Sequence, residues 1–578
     1  MAEGTDVLTL QGSIAVDGFA SHKTYAASSS TLLSGDPPVN AHCVPFQQIP
    51  HTTRLFLDYL SGAPSVRTFY PRSPNFAEWM KEEALAVRYD AGRRSQVSDI
   101  LEKQNRNWDA SPKTLANIER LRKGALAAVT GQQVGLFGGP LFSIFKALTA
   151  VKLAEEASAA GIDCVPIFWL ATEDHDLAEV NHVSLLSPEG HPERIGVHSH
   201  GVPDAPVGSI RLGPEINAAV ERAAALFGDS EITTWLRDSY RAGETLGSGM
   251  ARLFSRLFAD WGIILLDPAD PGFHQIANPL FRAAIERAAE LDEALLARGK
   301  ALESAGYHQQ VKVTSATTLL FEVKNGARTV VRRKTNGTNG TEFQVGDERL
   351  SARELLDRIE HTPQDFNPNV LFRPVVQDYL LPTLTYTGGA AEVAYFAQLS
   401  VVYDKLLGRV TPVLPRFSAT LLEPKPERIL NRYQLSLPDV FHGREKVREI
   451  IATKSLPADL QARFSEAYAG VEKSMAALRD SIGKLDSTLI QSADHARTSM
   501  WYQINRLHRR AARAELLRSD VIARHANALS DALLPNKILQ EREIGGISFV
   551  ARYGPGLLQK IYESIHTGCH DHQIIPVL

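Results

Sequence analysis

The sequence predicts an α/β protein: a parallel-sheet core with helical and small β insertions, plus an antiparallel α-helical coiled-coil arm. Three observations carry this. An apolar run at 125–130 feeds the glycine-rich turn 131–139, after which Leu141, Phe145 and Leu148 recur at helical spacing. A second such junction stands where the strand-like run 380–387 meets Gly388-Gly389 and a helix carrying Glu392, Tyr395 and Gln398. From about Leu460 to about Leu533, apolar residues every three or four positions describe two long amphipathic helices, broken at Asp486-Ser-Thr.

Bulk properties narrow the function. The chain has 578 residues, room for two to four domains, and a net charge of −4 with 22% charged residues, which does not mark a nucleic-acid binder. Cys43, Cys164 and Cys569 stand far apart without a CxxC pair, so a reducing cytosol is expected and a cysteine metal site is not. No signal-peptide pattern and no apolar run of membrane-spanning length is present, so a cytoplasmic protein that does not enter membranes is expected.

In chain order, 1–48 is rich in Ser, Ala, Gly and Thr and reads as a mobile tail. Helices are expected over 52–61, 76–104 and 111–123, leading into the first strand. Pro140 falls where a helix takes its first residue, so Gly135, Gly138 and Gly139 precede a helix start whose amides suit an anion. A tight packing turn is the other reading. Lys146, two helical turns further on, is expected to face solvent.

The next strand, 164–170, completes a βαβ unit and ends in Ala171-Thr-Glu-Asp-His-Asp. Four ionisable groups at a buried strand's tip, Glu173, Asp174, His175 and Asp176, are the candidate catalytic cluster, because open α/β sheets bind ligands at the carboxyl ends of their strands. A helix cap formed by Asp174 or Asp176 is the bland alternative. His175 and Glu179 do not make an HExxH motif, and no metal site is expected. A third strand lies at 262–267, and helices cover 278–305. Residues 311–335 alternate as a hairpin around Asn325-Gly326, with a second turn at Asn336-Gly-Thr-Asn-Gly-Thr, making a β insertion at about 306–350. The last core strand, 410–414, precedes Arg416, which either reaches a phosphate or carboxylate or makes a surface salt bridge. Pro424-Lys-Pro closes the core at 49–424, the arm covers 425–535, and 536–578 returns to bury Ile547, Phe549, Leu557 and Ile561.

Five blocks in order give the chain a family resemblance: Thr130-Gly-Gln-Gln-Val-Gly-Leu-Phe-Gly-Gly-Pro, Phe168-Trp-Leu-Ala-Thr-Glu-Asp-His-Asp, Gly306-Tyr-His-Gln-Gln-Val, Thr387-Gly-Gly-Ala-Ala-Glu-Val-Ala-Tyr and Leu534-Pro-Asn-Lys-Ile-Leu-Gln-Glu-Arg. With them the chain resembles the BshC family, cysteine-adding enzymes of bacillithiol biosynthesis. The resemblance implies a Rossmann-like core related to nucleotidyl-transferring ligases and a dimerising arm. It also implies a ligase that joins cysteine to the amine of glucosaminyl-malate. ATP or another nucleotide is then the expected co-substrate, with no metal beyond magnesium carried by it. The turn that holds a His-x-Gly-His signature in class I ligases reads Gly138-Gly139-Pro140 here and supplies no histidine. The motif positions offered for substrate or nucleotide are Gln132, Gln133, Gly135, Gly138, Gly139, Pro140, Tyr386, Gly388, Gly389, Glu392 and Arg416. A nucleotide- or sugar-phosphate-binding protein without ligase activity would keep the glycine turns without needing the acidic cluster, and a coiled-coil scaffold would need neither.

Overall fold

The run Cys164-Val-Pro-Ile-Phe-Trp-Leu offers nothing to water, and such a strand is stable only with both faces covered. The computed structural model, which describes residues 42–198, 201–336 and 340–577, sets it inside a five-stranded sheet. The strands are β1 (Leu126–Gln133), β2 (Cys164–Ala171), β3 (Ile264–Leu266), β4 (Thr383–Gly388) and β5 (Val413–Pro415). All neighbours pair in parallel in the order β3-β2-β1-β4-β5, the order of a Rossmann sheet's first five strands. Side chains alternate between faces: Val165, Ile167 and Trp169 join one apolar cluster, Phe168 and Leu170 the other. Each side chain buried this way stabilises the fold by roughly 1.5–3 kcal/mol. A carboxylate at Ile167, which is wholly buried, would have no partner and would break the layer.

Helix α1 (Phe142–Ala159) joins β1 to β2, and α2 (Pro271–Glu286) follows β3, its first turn capped by Asp270 accepting from the Gly272 amide at 2.8 Å. Helix α3 (Ala390–Leu407) joins β4 to β5. The expected β insertion is an antiparallel sheet built on the hairpin Thr317–Lys324 and Ala327–Asn336. Asn325 (φ 53°) and Gly326 (φ 83°) both take the left-handed backbone that a two-residue hairpin turn needs. Positions 337–339 of the second turn lie outside the described residues.

Several expected boundaries shift for local reasons. The helix expected over 76–104 is two, Phe76–Ala86 and Ala91–Asn107, because Asp90 caps the second, accepting from the Arg93 amide at 2.7 Å. The helical run 278–305 begins earlier, at Pro271, and breaks at Arg287. The arm pairs α4 (Ala458–Leu485) with α5 (Ile490–Arg518), and extended backbone at Ser519 separates α5 from a further helix, Asp520–Leu533. Phe464 stacks on His508 (ring centroids 4.2 Å apart), and Glu472 bridges Arg497 at 2.9 Å, contacts that only antiparallel helices make.

The expected tail over 1–41 lies outside the described residues, whereas 42–48 is built into the fold. His42–Val44 pairs antiparallel with the C-terminal strand His572–Pro576, which pairs in parallel with Ala419–Leu422. The segment after the arm does return to the core, burying Ile547, Phe549, Leu557 and Ile561.

Candidate active site

β1 and β4 lie side by side where the strand order reverses, and such switch points leave a crevice outside the strands' carboxyl ends. Here it is a cavity of about 350 Å³, floored by Gly131, Gln132 and Gln133 of β1, Trp169 of β2 and Tyr386 of β4. A second lobe of about 310 Å³ shares Gly389, Ala391, Arg416 and Arg542 with it, and Gly388 lies on this lobe. His51 (φ 61°) and Lys537 (φ 66°), both on the second lobe, hold left-handed backbone that costs a non-glycine residue energy, a strain that gathers at functional sites.

One wall is basic. Lys146 is buried, contrary to the solvent-facing position expected of it. α1 is covered along most of its length, so the ammonium finds no water and is satisfied by Gly131 O (2.7 Å), Gln132 Oε1 (2.9 Å) and Glu392 Oε2 (2.5 Å). Burial pulls its pKa below the usual lysine value against the pull of Glu392. Glu392 also accepts from the Gly389 amide (2.8 Å) and the Tyr386 hydroxyl (2.5 Å), so the helix-start amide offered for an anion is already used. The Arg373 guanidinium donates to Tyr395 Oη at 3.2 Å and Tyr386 Oη at 3.4 Å. The Arg542 guanidinium has no hydrogen-bonded partner among the described residues and lies 6.0 Å from the Phe142 ring. Arg416 makes neither the surface salt bridge nor a freely reaching cation. Its Nη2 meets Glu541 Oε1 at 2.6 Å and Nη1 meets Phe417 O at 2.7 Å, both groups buried.

Carboxylates line the cavity too: Glu173, Asp174 and Glu179. Asp174 accepts from Gln133 Nε2 (2.6 Å) and from the His175 amide (2.7 Å). Burial raises its pKa, but His175, Gln133 and Arg328 outweigh that and hold it down at about 2. Burial raises the Glu179 carboxyl. Arg328 arrives from the β insertion, donating to Pro368 O at 3.1 Å, while its Nε and Trp169 Nε1 are buried without a protein partner.

The expected cluster therefore divides. Glu173 and Asp174 face the cavity. Asp176 caps the short helix Leu177–Val180, accepting from the Glu179 amide at 3.1 Å. His175 is exposed and off the cavity wall, its Nδ1 between Arg328 Nη1 (3.1 Å) and Asp174 Oδ1 (3.4 Å), which compete for it. The later part of the first glycine turn, Gly135 to Pro140, also lies off both lobes. The Gly138 amide donates to Tyr240 Oη (3.0 Å) and that of Gly139 to Leu136 O (3.0 Å). A Cβ on Gly135 would come within 2.9 Å of Gly139 Cα. Pro140 pairs with Gly545, and α1 starts two residues later than expected because the Leu141 amide is taken by Ile544 O. Arg328, Arg373 and His274 carry no local sequence signal. Arg542 closes the block 534–542 that supported the resemblance, so a signal existed there.

Among the described residues no group of three His, Cys, Asp or Glu is placed to hold a metal, and no helix is long and apolar enough to cross a membrane. Fold and crevice define a Rossmann-like α/β protein with a charged small-molecule cavity at its strand tips and a coiled-coil arm. Residues 39–417 match the family described as bacillithiol biosynthesis BshC, N-terminal Rossmann-like domain, and 419–577 match its C-terminal coiled-coil domain. Relatives named "Putative cysteine ligase BshC" include one from Koribacter versatilis, 48% identical over 93% of this chain and 99% of the relative. Others come from Solibacter usitatus, 38% identical over 93% and 99%, and Geobacillus thermodenitrificans, 30% identical over 91% and 98%. The chain belongs to the BshC family of bacillithiol biosynthesis.

Proposed function

We propose that this chain is a carbon–nitrogen ligase that joins cysteine, through an amide, to the amine of glucosaminyl-malate, completing bacillithiol. The observation that carries this reading is one cavity lined both by carboxylates (Glu173, Asp174, Glu179) and by cations (Lys146, Arg373, Arg542). Such a cavity suits partners that bring an ammonium and an activated carboxylate together. Arg373 and Arg542 hold carboxylate and phosphate oxygens, and Glu173 and Asp174 hold the ammonium, so the reacting atoms are positioned rather than left to collide. Glu173 takes one proton from the ammonium, the freed amine nitrogen bonds to the acyl carbon, the bond from that carbon to its phosphate-bearing leaving group breaks, and the second nitrogen proton leaves with the departing phosphate oxygen. Glu173 has this role in place of His175, because only Glu173 lies on the wall.

The nucleotide, ATP or another, supplies the activation of the carboxylate. Arg542 and Lys537 are cations that fit its phosphates. The protein works as a cytoplasmic homodimer paired through α4 and α5, with no membrane or nucleic-acid partner.

A gene deletion in a bacillithiol-producing bacterium, complemented with variants, tests this. The deletion should lose bacillithiol and accumulate glucosaminyl-malate. Glu173→Gln should fail to restore it, a base being worth about 10²–10⁴-fold in rate, while His175→Asn should restore it. Normal bacillithiol with Glu173→Gln overturns the assignment of the base. Normal bacillithiol in the deletion itself leaves a ligand-binding protein without ligase activity.

A further inference from the structure

Behind Glu173, on the side away from the cavity, stands His274 of α2, only 4% exposed. Its Nε2 lies 3.1 Å from Glu173 Oε1 and its Nδ1 lies 3.1 Å from the carbonyl oxygen of Pro363. A carbonyl oxygen can only accept, so Nδ1 carries a proton. An ionised carboxylate also only accepts. Nε2 must therefore carry a second proton, or else the Glu173 carboxyl carries one and donates it. One proton is thus held between Oε1 and Nε2, and its location sets the charge of the group that faces the ligand.

The surroundings decide where it sits. Burial alone lowers the imidazole's pKa, but the Glu173 carboxylate and the carbonyls of Pro363 and Phe366 outweigh it, and the net shift is upward. The other charged groups facing this pair are Asp267 at the end of β3, with Asp270 beyond it, and Arg328 with Asp174 on the cavity side. The edge of the ring packs on Phe281 at 6.0 Å between centroids, which leaves water no approach from that side. We infer that His274 is a positioning residue that holds this proton as an imidazolium, fixing Glu173 as an ionised carboxylate turned toward the cavity and ready to receive an ammonium. The inference deepens the ligase reading, and rests on it for the role of Glu173.

The pair can be tested apart from turnover. In full-length protein with ¹³Cε1- and ¹⁵N-labelled histidine, the His274 resonance, assigned by its loss in His274→Gln, should show a charged ring at pH 7. In Glu173→Gln it should become neutral, because the amide can donate to Nε2. A neutral His274 in the unsubstituted protein, or one still charged in Glu173→Gln, overturns the inference whatever the reaction turns out to be. Turnover supplies the second readout. His274→Gln keeps a donor toward Glu173 but removes the charge beside it. The acid limb of kcat/KM should then move up by roughly tenfold or more in proton concentration, with the alkaline plateau nearly kept. An equal loss at every pH would mark a merely structural histidine. A charged His274 alongside full activity of Glu173→Gln would leave the pair standing and remove only the base.

Discussion

The buried pair Arg416–Glu541 gives the sharpest energetic test, because the sequence offered Arg416 to a ligand and the structure uses it as a clamp. Its side chain is 6% exposed and that of Glu541 is 2%. Glu541 also accepts from Ser418 Oγ (3.0 Å) and from the Ala419 amide (3.1 Å), tying the segment after the arm to the end of the core. Arg416→Met leaves that carboxylate buried with only neutral donors, a change that costs about 3–5 kcal/mol. Adding Glu541→Gln removes the uncompensated charge while keeping an acceptor for both donors, so the double variant should recover more than half of the loss. The deficit also has a pH sign. Burial raises the Glu541 pKa, but Arg416 more than reverses it, so in the unsubstituted protein the carboxylate adds stability above its unfolded value of about 4.3 and loses it as pH falls. Without Arg416 the carboxyl prefers its proton, so the gap between the two proteins should narrow toward pH 4. Urea titration followed by circular dichroism at pH 7 and pH 4 measures the total. Because a chain of this size need not unfold in one step, hydrogen exchange in Ala419–Leu422 and His572–Pro576 gives the local value. A loss under about 1 kcal/mol for Arg416→Met, or a double variant no better than the single, would refute the clamp.

Three further outcomes follow from geometry and charge. Burial raises the carboxyl of Asp267 to about 6, so its contribution is full below about pH 3.8 and is lost as pH rises to 6; Asp267→Asn should therefore raise the melting temperature above pH 6 and not below pH 4, the ceiling being roughly 3 kcal/mol because the residue keeps some exposure. Equal effects at both pH values would contradict this. Gly138 has φ 88° and a Cβ there would lie 3.1 Å from Phe254, so Gly138→Ala should lower thermal stability by about 1–2 kcal/mol or more, whereas Gly389, with φ −76° and its nearest neighbour at 3.6 Å, should accept alanine with little loss. The reverse ranking would mean that the turn is not a packing device. Leu478 is 49% exposed on α4, and Leu478→Asp with Ile482→Asp should give a monomer by light scattering if the arm is the dimer seam; an unchanged mass would move dimerisation elsewhere.

What the sequence by itself determined is whatever a short window encodes. Continuous apolar runs at 125–130 and 164–170 can only be strands covered on both faces, glycine and helical spacing after them can only turn back over the sheet, and Asn325-Gly326 sets its hairpin through backbone sign alone. The strand-tip position of Glu173 and Asp174 was legible for the same reason: in a parallel sheet the end of a buried strand is the mouth of the crevice, whereas Gln132, Gln133 and Glu392 were offered only by the family resemblance. The caps Asp90 and Asp270 are local signals as well, but the helices expected over 76–104 and from 278 passed over both. Only the tertiary structure decided which charges meet. Lys146 is buried rather than solvated because α1 is covered on nearly every side, and its charge persists through Glu392, nearly 250 residues away in the chain. Arg328, Arg373, Arg542 and His274 come from an insertion, a helix start, the segment after the arm and a helix behind the sheet. Apart from Arg542, which closes the block 534–542, none has a periodicity or a neighbour that marks it, because the function of each lies in a distance to a residue outside any sequence window. The first glycine turn shows the converse. Its sequence permits both an anion site and a tight packing turn, and Tyr240 and Gly545, distant in the chain, occupy the hydrogen-bonding positions on either side of it.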